Sequence, residues 1–167
     1  MFDAIGDMPL HPLVIHAVVV GIPLAALLAV LFALPRTRSW ARWPLALVAV
    51  GSLAGTVVAR ASGSALKSAI GLESGPSAQL IDVHAQLATQ LLVIMAVFTV
   101  LAVVSAFVVT RRTAEAGTRR RAVDVVLPLL LVVVAVVAVI WVIRVGDIGS
   151  RAVWNPTGEV NYSVQGG

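Results

Sequence analysis

The sequence predicts an all-α integral membrane protein, a four-helix bundle with both termini on the outer face of the bilayer. Of its 167 residues 59% are hydrophobic and only 12% are charged, and the mean hydropathy is +0.99. A water-soluble domain of this composition would expose large apolar patches. The apolar residues also fall into four long runs, each able to cross a hydrocarbon core of about 30 Å as a helix.

The four runs follow one another within a single transmembrane domain, residues 1–167. Pro12 is tolerated because it falls in the first turn of the first helix. Trp40 and Trp43 precede the second run, at the headgroup level that tryptophan favours. We expect spans at about 11–34, 44–64, 84–110 and 125–145, and an outer C-terminal tail at 146–167.

A stripe of small residues marks one face of the second span. Gly51, Gly55, Ala59 and Gly63 recur at four-residue spacing. Small residues at this spacing let another helix backbone approach closely. The stripe therefore predicts a packing face, either inside the bundle or in a homo-oligomer. No internal sequence repeat is visible.

The basic residues predict the orientation. The net charge of +4 and the pI near 11.1 do not indicate nucleic-acid binding, because the arginines are grouped in loops between apolar spans. Such loops stay in the cytoplasm. We therefore expect a multi-pass protein of the inner or plasma membrane of the cell, with extracytoplasmic termini. The loop arginines are Arg36, Arg38, Arg42, Arg111, Arg112, Arg119, Arg120 and Arg121.

Polar residues gather near the outer ends of the spans. At a rise of about 1.5 Å per residue, His16, Arg60 and Arg144 each lie roughly 26 to 28 Å from the cytoplasmic end of their span. His11, His84 and Asp147 lie one or two turns higher. Lipid offers ionisable side chains no partner, so burial in a shared cavity is favoured over six separate lipid-facing positions. We expect His16 and His84 to face that cavity, with His11 or Asp147 as a third group.

Two kinds of cofactor fit these residues. A haem b would take His16 and His84 as axial ligands, with Arg60 and Arg144 on its propionates. A copper or zinc ion would instead be held by His11, His16, His84 and Asp147. The chain has no cysteine, which excludes thiolate ligands and a nucleophilic thiol.

Two classes of function remain open at this stage. The protein is either an electron or metal carrier that binds a cofactor, or a cofactor-free accessory subunit of a larger membrane complex. No catalytic residue is assigned, because the sequence has no helical His-Glu-x-x-His, no Gly-x-x-x-x-Gly-Lys loop and no Ser-His-Asp pattern. Whether it is an enzyme stays open. The lipid bilayer is the one partner that the composition itself requires.

Three segments resemble the domain of unknown function 2231 family. They are HPLVIH at 11–16, VHAQLATQLL at 83–92 and RVGDIGSRAVW at 144–154. The resemblance implies a small bacterial four-helix membrane protein whose motif residues here are His11, His16, His84, Gly146, Asp147 and Gly149. Some members have a histidine where this chain has Asp147, so one potential imidazole ligand is missing.

Overall fold

Four helices make up most of the chain in the computed structural model, which describes residues 4–5, 8–71, 74–111 and 120–159. Ahead of the first helix, strands β1 (Ala4–Ile5) and β2 (Met8–Pro9) form a short antiparallel pair. The predicted all-α, four-helix class is confirmed. The helices are α1 (Leu10–Ala33), α2 (Arg38–Ile70), α3 (Pro76–Arg111) and α4 (Arg120–Trp154).

All four helices are long and apolar enough to cross a membrane. The 24 residues of α1 span about 36 Å, and the 33 to 36 residues of the other three span about 50 Å, more than the hydrocarbon core is thick. Large apolar side chains cover the outer surface, with Val20 67% and Leu47 71% exposed. Such a surface is stable in lipid and not in water.

The helices form a closed ring in which α1 and α3 each pack on both α2 and α4. Successive helices run in opposite directions, so α1 and α3 begin at the end of the bundle where α2 and α4 finish. We call this the N-terminal end, and the opposite end, with Arg36, Arg38 and Arg42, the arginine end. The diagonal pairs are therefore α1 with α3 and α2 with α4.

The core between the helices is built largely from alanine, with a few large side chains. Phe32, Ile22, Phe98, Met95 and Leu131 are almost completely buried. Alanine lets neighbouring backbones approach, and this close packing replaces the hydrophobic driving force that lipid does not supply. The buried alanines include Ala25, Ala29, Ala41, Ala49, Ala102, Ala106, Ala135 and Ala138.

The small-residue stripe of α2 packs on α1 of the same chain. A Cβ atom added at Gly55 would lie 3.2 Å from Cγ2 of Val18, and one at Gly63 would lie 3.0 Å from Cε1 of His11. Gly51 is exposed and has nothing within 4 Å of such a Cβ. The predicted packing face is thus confirmed at Gly55 and Gly63, and its neighbour is α1.

Three of the helices, α2, α3 and α4, extend beyond the expected spans. α2 already begins at Arg38, whose guanidinium donates from Nε to the carbonyl of Phe32 and from Nη2 to that of Ala33, both at 3.1 Å. These bonds satisfy carbonyls left unpaired at the end of α1. α4 continues to Trp154, so the first part of the expected tail is helical instead. The loop residues 112–119 and the tail residues 160–167 lie outside the described part.

Candidate functional site

His11, in the first turn of α1, turns its imidazole towards α2. Its Nδ1 donates to the carbonyl of Ala59 at 2.9 Å, and the hydroxyl oxygen of Ser62 lies 3.3 Å from the same nitrogen. The ring rests on the backbone at Gly63, where a side chain would collide with it. A short polar segment of α2 therefore holds this imidazole in place.

His84, on α3, is held in the same way by α4. Its Nδ1 donates to the carbonyl of Val145 at 2.9 Å. A Cβ atom at Gly149 would lie 2.9 Å from that nitrogen and 3.0 Å from Cε1. The glycine thus provides the space in which the ring lies.

The two imidazoles meet inside the N-terminal end of the bundle. Their ring centroids are 6.3 Å apart and their planes are almost perpendicular, at 84°. Both residues are half-buried. The diagonal helices α1 and α3 therefore contribute one imidazole each to a single site.

The hydrogen bonds determine the tautomer of both rings. A backbone carbonyl can only accept, so Nδ1 of His11 and Nδ1 of His84 each carry the proton. In a neutral imidazole the other nitrogen, Nε2, then keeps its lone pair. The site therefore holds two nitrogen lone pairs that can bind a metal or accept a proton.

His16 lies elsewhere. It is exposed, and its Nδ1 donates to the carbonyl of Pro12 in its own helix. Five residues turn an α-helix by about 140°, so His11 and His16 cannot both point into the bundle. The structure brings His84 together with His11 and not with His16.

The two arginines contact other side chains on the outside of the bundle. Arg60 donates from Nε to Thr89 Oγ1 at 2.9 Å and from Nη1 to Ser64 Oγ at 3.0 Å. Arg144 is exposed, and its guanidinium carbon lies 5.1 Å from the centroid of the Trp141 ring. The bond to Thr89 joins Arg60 to α3, whereas the contact of Arg144 with Trp141 lies within α4.

Asp147 also lies on the exposed side of α4. It is two residues from Gly149, a rotation of about 200° around the helix, so it points away from the side that receives His84. Within the described residues there is no group of three or more His, Cys, Asp and Glu side chains that could hold a metal ion. The arrangement that is present is the His11–His84 pair.

Sequence reasoning named Gly63 as part of the small-residue stripe and Gly149 as a motif residue, but it missed that these glycines, with the carbonyls of Ala59 and Val145, position the imidazoles. One sequence pattern could have pointed to these glycines. The pair Gly-Ser occurs in α2 at 63–64 and again in α4 at 149–150, near the level of the histidines. Without the pairing of the helices, however, neither glycine could be assigned to a particular ring.

The fold and the site define a class: an integral membrane four-helix bundle with a histidine pair at one end. Residues 7–161 match the family model described as "Predicted membrane protein (DUF2231)". The match covers most of the chain, so the protein belongs to this family, as the three sequence segments predicted. No match was found among curated proteins or among solved structures.

Proposed function

We propose that this membrane protein binds a transition-metal centre through Nε2 of His11 and Nε2 of His84, and that it carries electrons or metal at the membrane surface. The main support for the proposal is that both rings have the same tautomer, with the proton on Nδ1. Each Nδ1–H donates to a backbone carbonyl, at 2.9 Å in both cases. Histidines that bind metals almost always donate their other N–H in this way, which orients the ring and raises its basicity.

The position of the pair supports the same proposal. Two half-buried imidazoles from diagonal helices lie close together in a predominantly apolar bundle. The interhelical hydrogen bonds account for the glycine beneath each ring, but they do not require the two rings to lie close to each other. The proposed ligand set therefore contains His11 and His84, while His16 and Asp147 are left out because they lie on exposed surface.

The proposed orientation places the histidine pair on the outer side of a bacterial inner or plasma membrane. The arginine end and its loops carry eight of the twelve basic residues, and the N-terminal end carries only Arg60, Lys67, Arg144 and Arg151. Loops rich in arginine remain in the cytoplasm. A centre at the N-terminal end would then exchange electrons or metal with molecules outside the cytoplasm.

The direct test is metal analysis and an absorption spectrum of the protein as isolated from membranes. We expect a metal or haem signal that is lost in His11→Ala and in His84→Ala and that is kept in the matched control His16→Ala. A signal that persists in both site variants, or one that depends on His16 instead, would refute the proposal.

A further inference from the structure

The two histidines occupy the same structural position in the two halves of the chain. In the hairpin α1–α2, the imidazole of the first helix rests on Gly63 and donates to Ala59, four residues before the glycine. In the hairpin α3–α4, the imidazole rests on Gly149 and donates to Val145, again four residues before the glycine. One local arrangement therefore occurs twice.

The same correspondence extends along the first helix of each half. When α1 and α3 are aligned on His11 and His84, buried residues of α1 correspond to buried residues of α3. Ala29 corresponds to an identical residue, Ala102. The histidines alone define this register. The agreement in burial is therefore a second, independent observation. The other aligned buried pairs are Val18 with Leu91, Ile22 with Met95 and Ala25 with Phe98.

The second helices agree as well. Aligning Gly63 with Gly149 also aligns Ser64 with Ser150. Four buried positions of α2 coincide with buried positions of α4, and two of these pairs are identical in sequence. The aligned buried pairs are Leu45 with Leu131, Ala49 with Ala135, Ser52 with Ala138 and Thr56 with Val142.

We propose that the chain consists of two related helical hairpins around a pseudo-two-fold axis, and that the histidine pair on this axis binds one copper(I) ion between its two Nε2 atoms. This inference rests on the proposed function and names the ligand of that site. Because each half supplies an equivalent imidazole, the two halves contribute equally to binding.

The spacing of the rings fits a single ion. Two imidazoles bound through Nε2 to one metal, with metal–nitrogen bonds of about 2 Å, have ring centres about 5 to 6 Å apart, the larger value for a linear arrangement. The observed separation is 6.3 Å. The separation of the two ring centres is therefore compatible with one metal ion bound between the rings.

The surroundings favour an ion over a haem. Each ring already lies against the backbone of a neighbouring helix, so a macrocycle between the rings would require the helices to separate. The arginines that would bind propionates instead contact Thr89, Ser64 and Trp141.

The number of ligands favours copper(I) over zinc. Zinc in proteins is almost always four-coordinate, and the described residues offer no group of three or more potential ligands. Copper(I) is a d10 ion that is stable with two nitrogen ligands, and imidazole is a ligand that copper accepts. A pair of imidazole ligands therefore matches copper(I) better than it matches zinc.

The test is an anaerobic titration of the detergent-purified full chain with copper(I) against a chromophoric competitor, followed by X-ray absorption spectroscopy. We expect one copper(I) per chain with two nitrogen ligands at about 2 Å. His11→Ala and His84→Ala should each weaken binding by at least about 100-fold, because each removes one of the two ligands, whereas His16→Ala should bind as the native protein does.

A second set of variants keeps both histidines, in case their removal prevents folding. Gly63→Ala and Gly149→Ala displace one ring each and should weaken binding by the same factor, about 10- to 100-fold. Gly51→Ala and Gly146→Ala are matched controls on the same two helices, since a Cβ at either position meets nothing within 4 Å. These controls should bind copper(I) as the native protein does.

The possible outcomes separate the two proposals. A stoichiometric haem or zinc that is lost in His11→Ala and His84→Ala would overturn the copper inference and leave the proposed function standing. Three or four ligands in the absorption spectrum, or copper(I) binding that needs only one histidine, would also overturn it. If no metal or haem binding depends on either histidine, both proposals are wrong.

Discussion

At the scale of single residues, two glycines determine where the imidazoles lie. Gly63 and Gly149 lie in helices, and neither has a positive φ. Glycine is therefore needed here because it leaves room for the imidazole, and not because the backbone adopts an unusual conformation. A Cβ atom at Gly63 would lie 3.0 Å from the His11 ring, and one at Gly149 would lie 2.9 Å from the His84 ring, both closer than ordinary van der Waals contact. The ring would then have to shift, which strains its hydrogen bond to the carbonyl that lies four residues before the glycine.

Replacing these glycines by alanine should therefore lower stability. In Gly63→Ala the new Cβ would lie 3.0 Å from Cε1 of His11, so the ring must move and we expect a loss of about 1 to 2 kcal/mol. Gly149→Ala should behave alike. Thermal unfolding in detergent, followed by size-exclusion chromatography, measures the change.

The control variants should shift stability in the opposite direction. Gly51→Ala and Gly146→Ala add a Cβ in open space, and alanine favours a helix interior over glycine by roughly 0.5 to 1 kcal/mol. If all four alanine variants changed stability by the same amount and with the same sign, the glycines would have no specific role at the histidines.

At the scale of helices, α1 and α2 pack through small residues at more than one level. Besides the contacts at Gly55 and Gly63, a Cβ on Gly21 of α1 would lie 2.7 Å from Oγ of Ser52. Contacts this close bring the two backbones together along the length of the hairpin. The stripe therefore packs against α1 of the same chain. Of its glycines, Gly51 alone lies on the exposed surface of the bundle.

We predict that Gly55→Leu separates α1 from α2 and destabilises the bundle by about 1 to 3 kcal/mol, as overpacking usually does. The matched variant Gly51→Leu places the same side chain on exposed surface and should leave stability nearly unchanged. The melting temperatures of the two variants in detergent measure the difference. Equal melting temperatures would contradict the assignment of this face to α1.

The helices were predictable because membrane spans depend on length and hydrophobicity, which the sequence displays directly. The level of the polar groups followed from the rise per residue. The side of the helix on which each polar group lies could not be predicted in this way, because packing between helices sets the rotation of each helix about its axis. Depth placed His84 in the same layer as His11, but the expected site paired it with His16, and it is the packing of the helices that brings His84 together with His11.

At the scale of the whole molecule, the related halves explain how the site is formed. The start of α1 and the start of α3 lie at the same end of the ring, and each carries its histidine to the centre. The halves share few identical residues, which is why no repeat is evident in the sequence. The correspondence emerges only when helices are aligned on the residues that hold the histidines.

The orientation of the molecule decides which compartment the histidine pair serves, and it can be tested cleanly because the native chain has no cysteine. Ser39 is exposed at the arginine end, and Ser74 is exposed at the N-terminal end, between α2 and α3. The excess of arginine predicts that the arginine end is cytoplasmic. In intact cells, a membrane-impermeant thiol reagent should therefore label Ser74→Cys and not Ser39→Cys. Permeabilised cells should show labelling of both, which controls for reactivity, and the reverse pattern in intact cells would place the histidine pair on the cytoplasmic side.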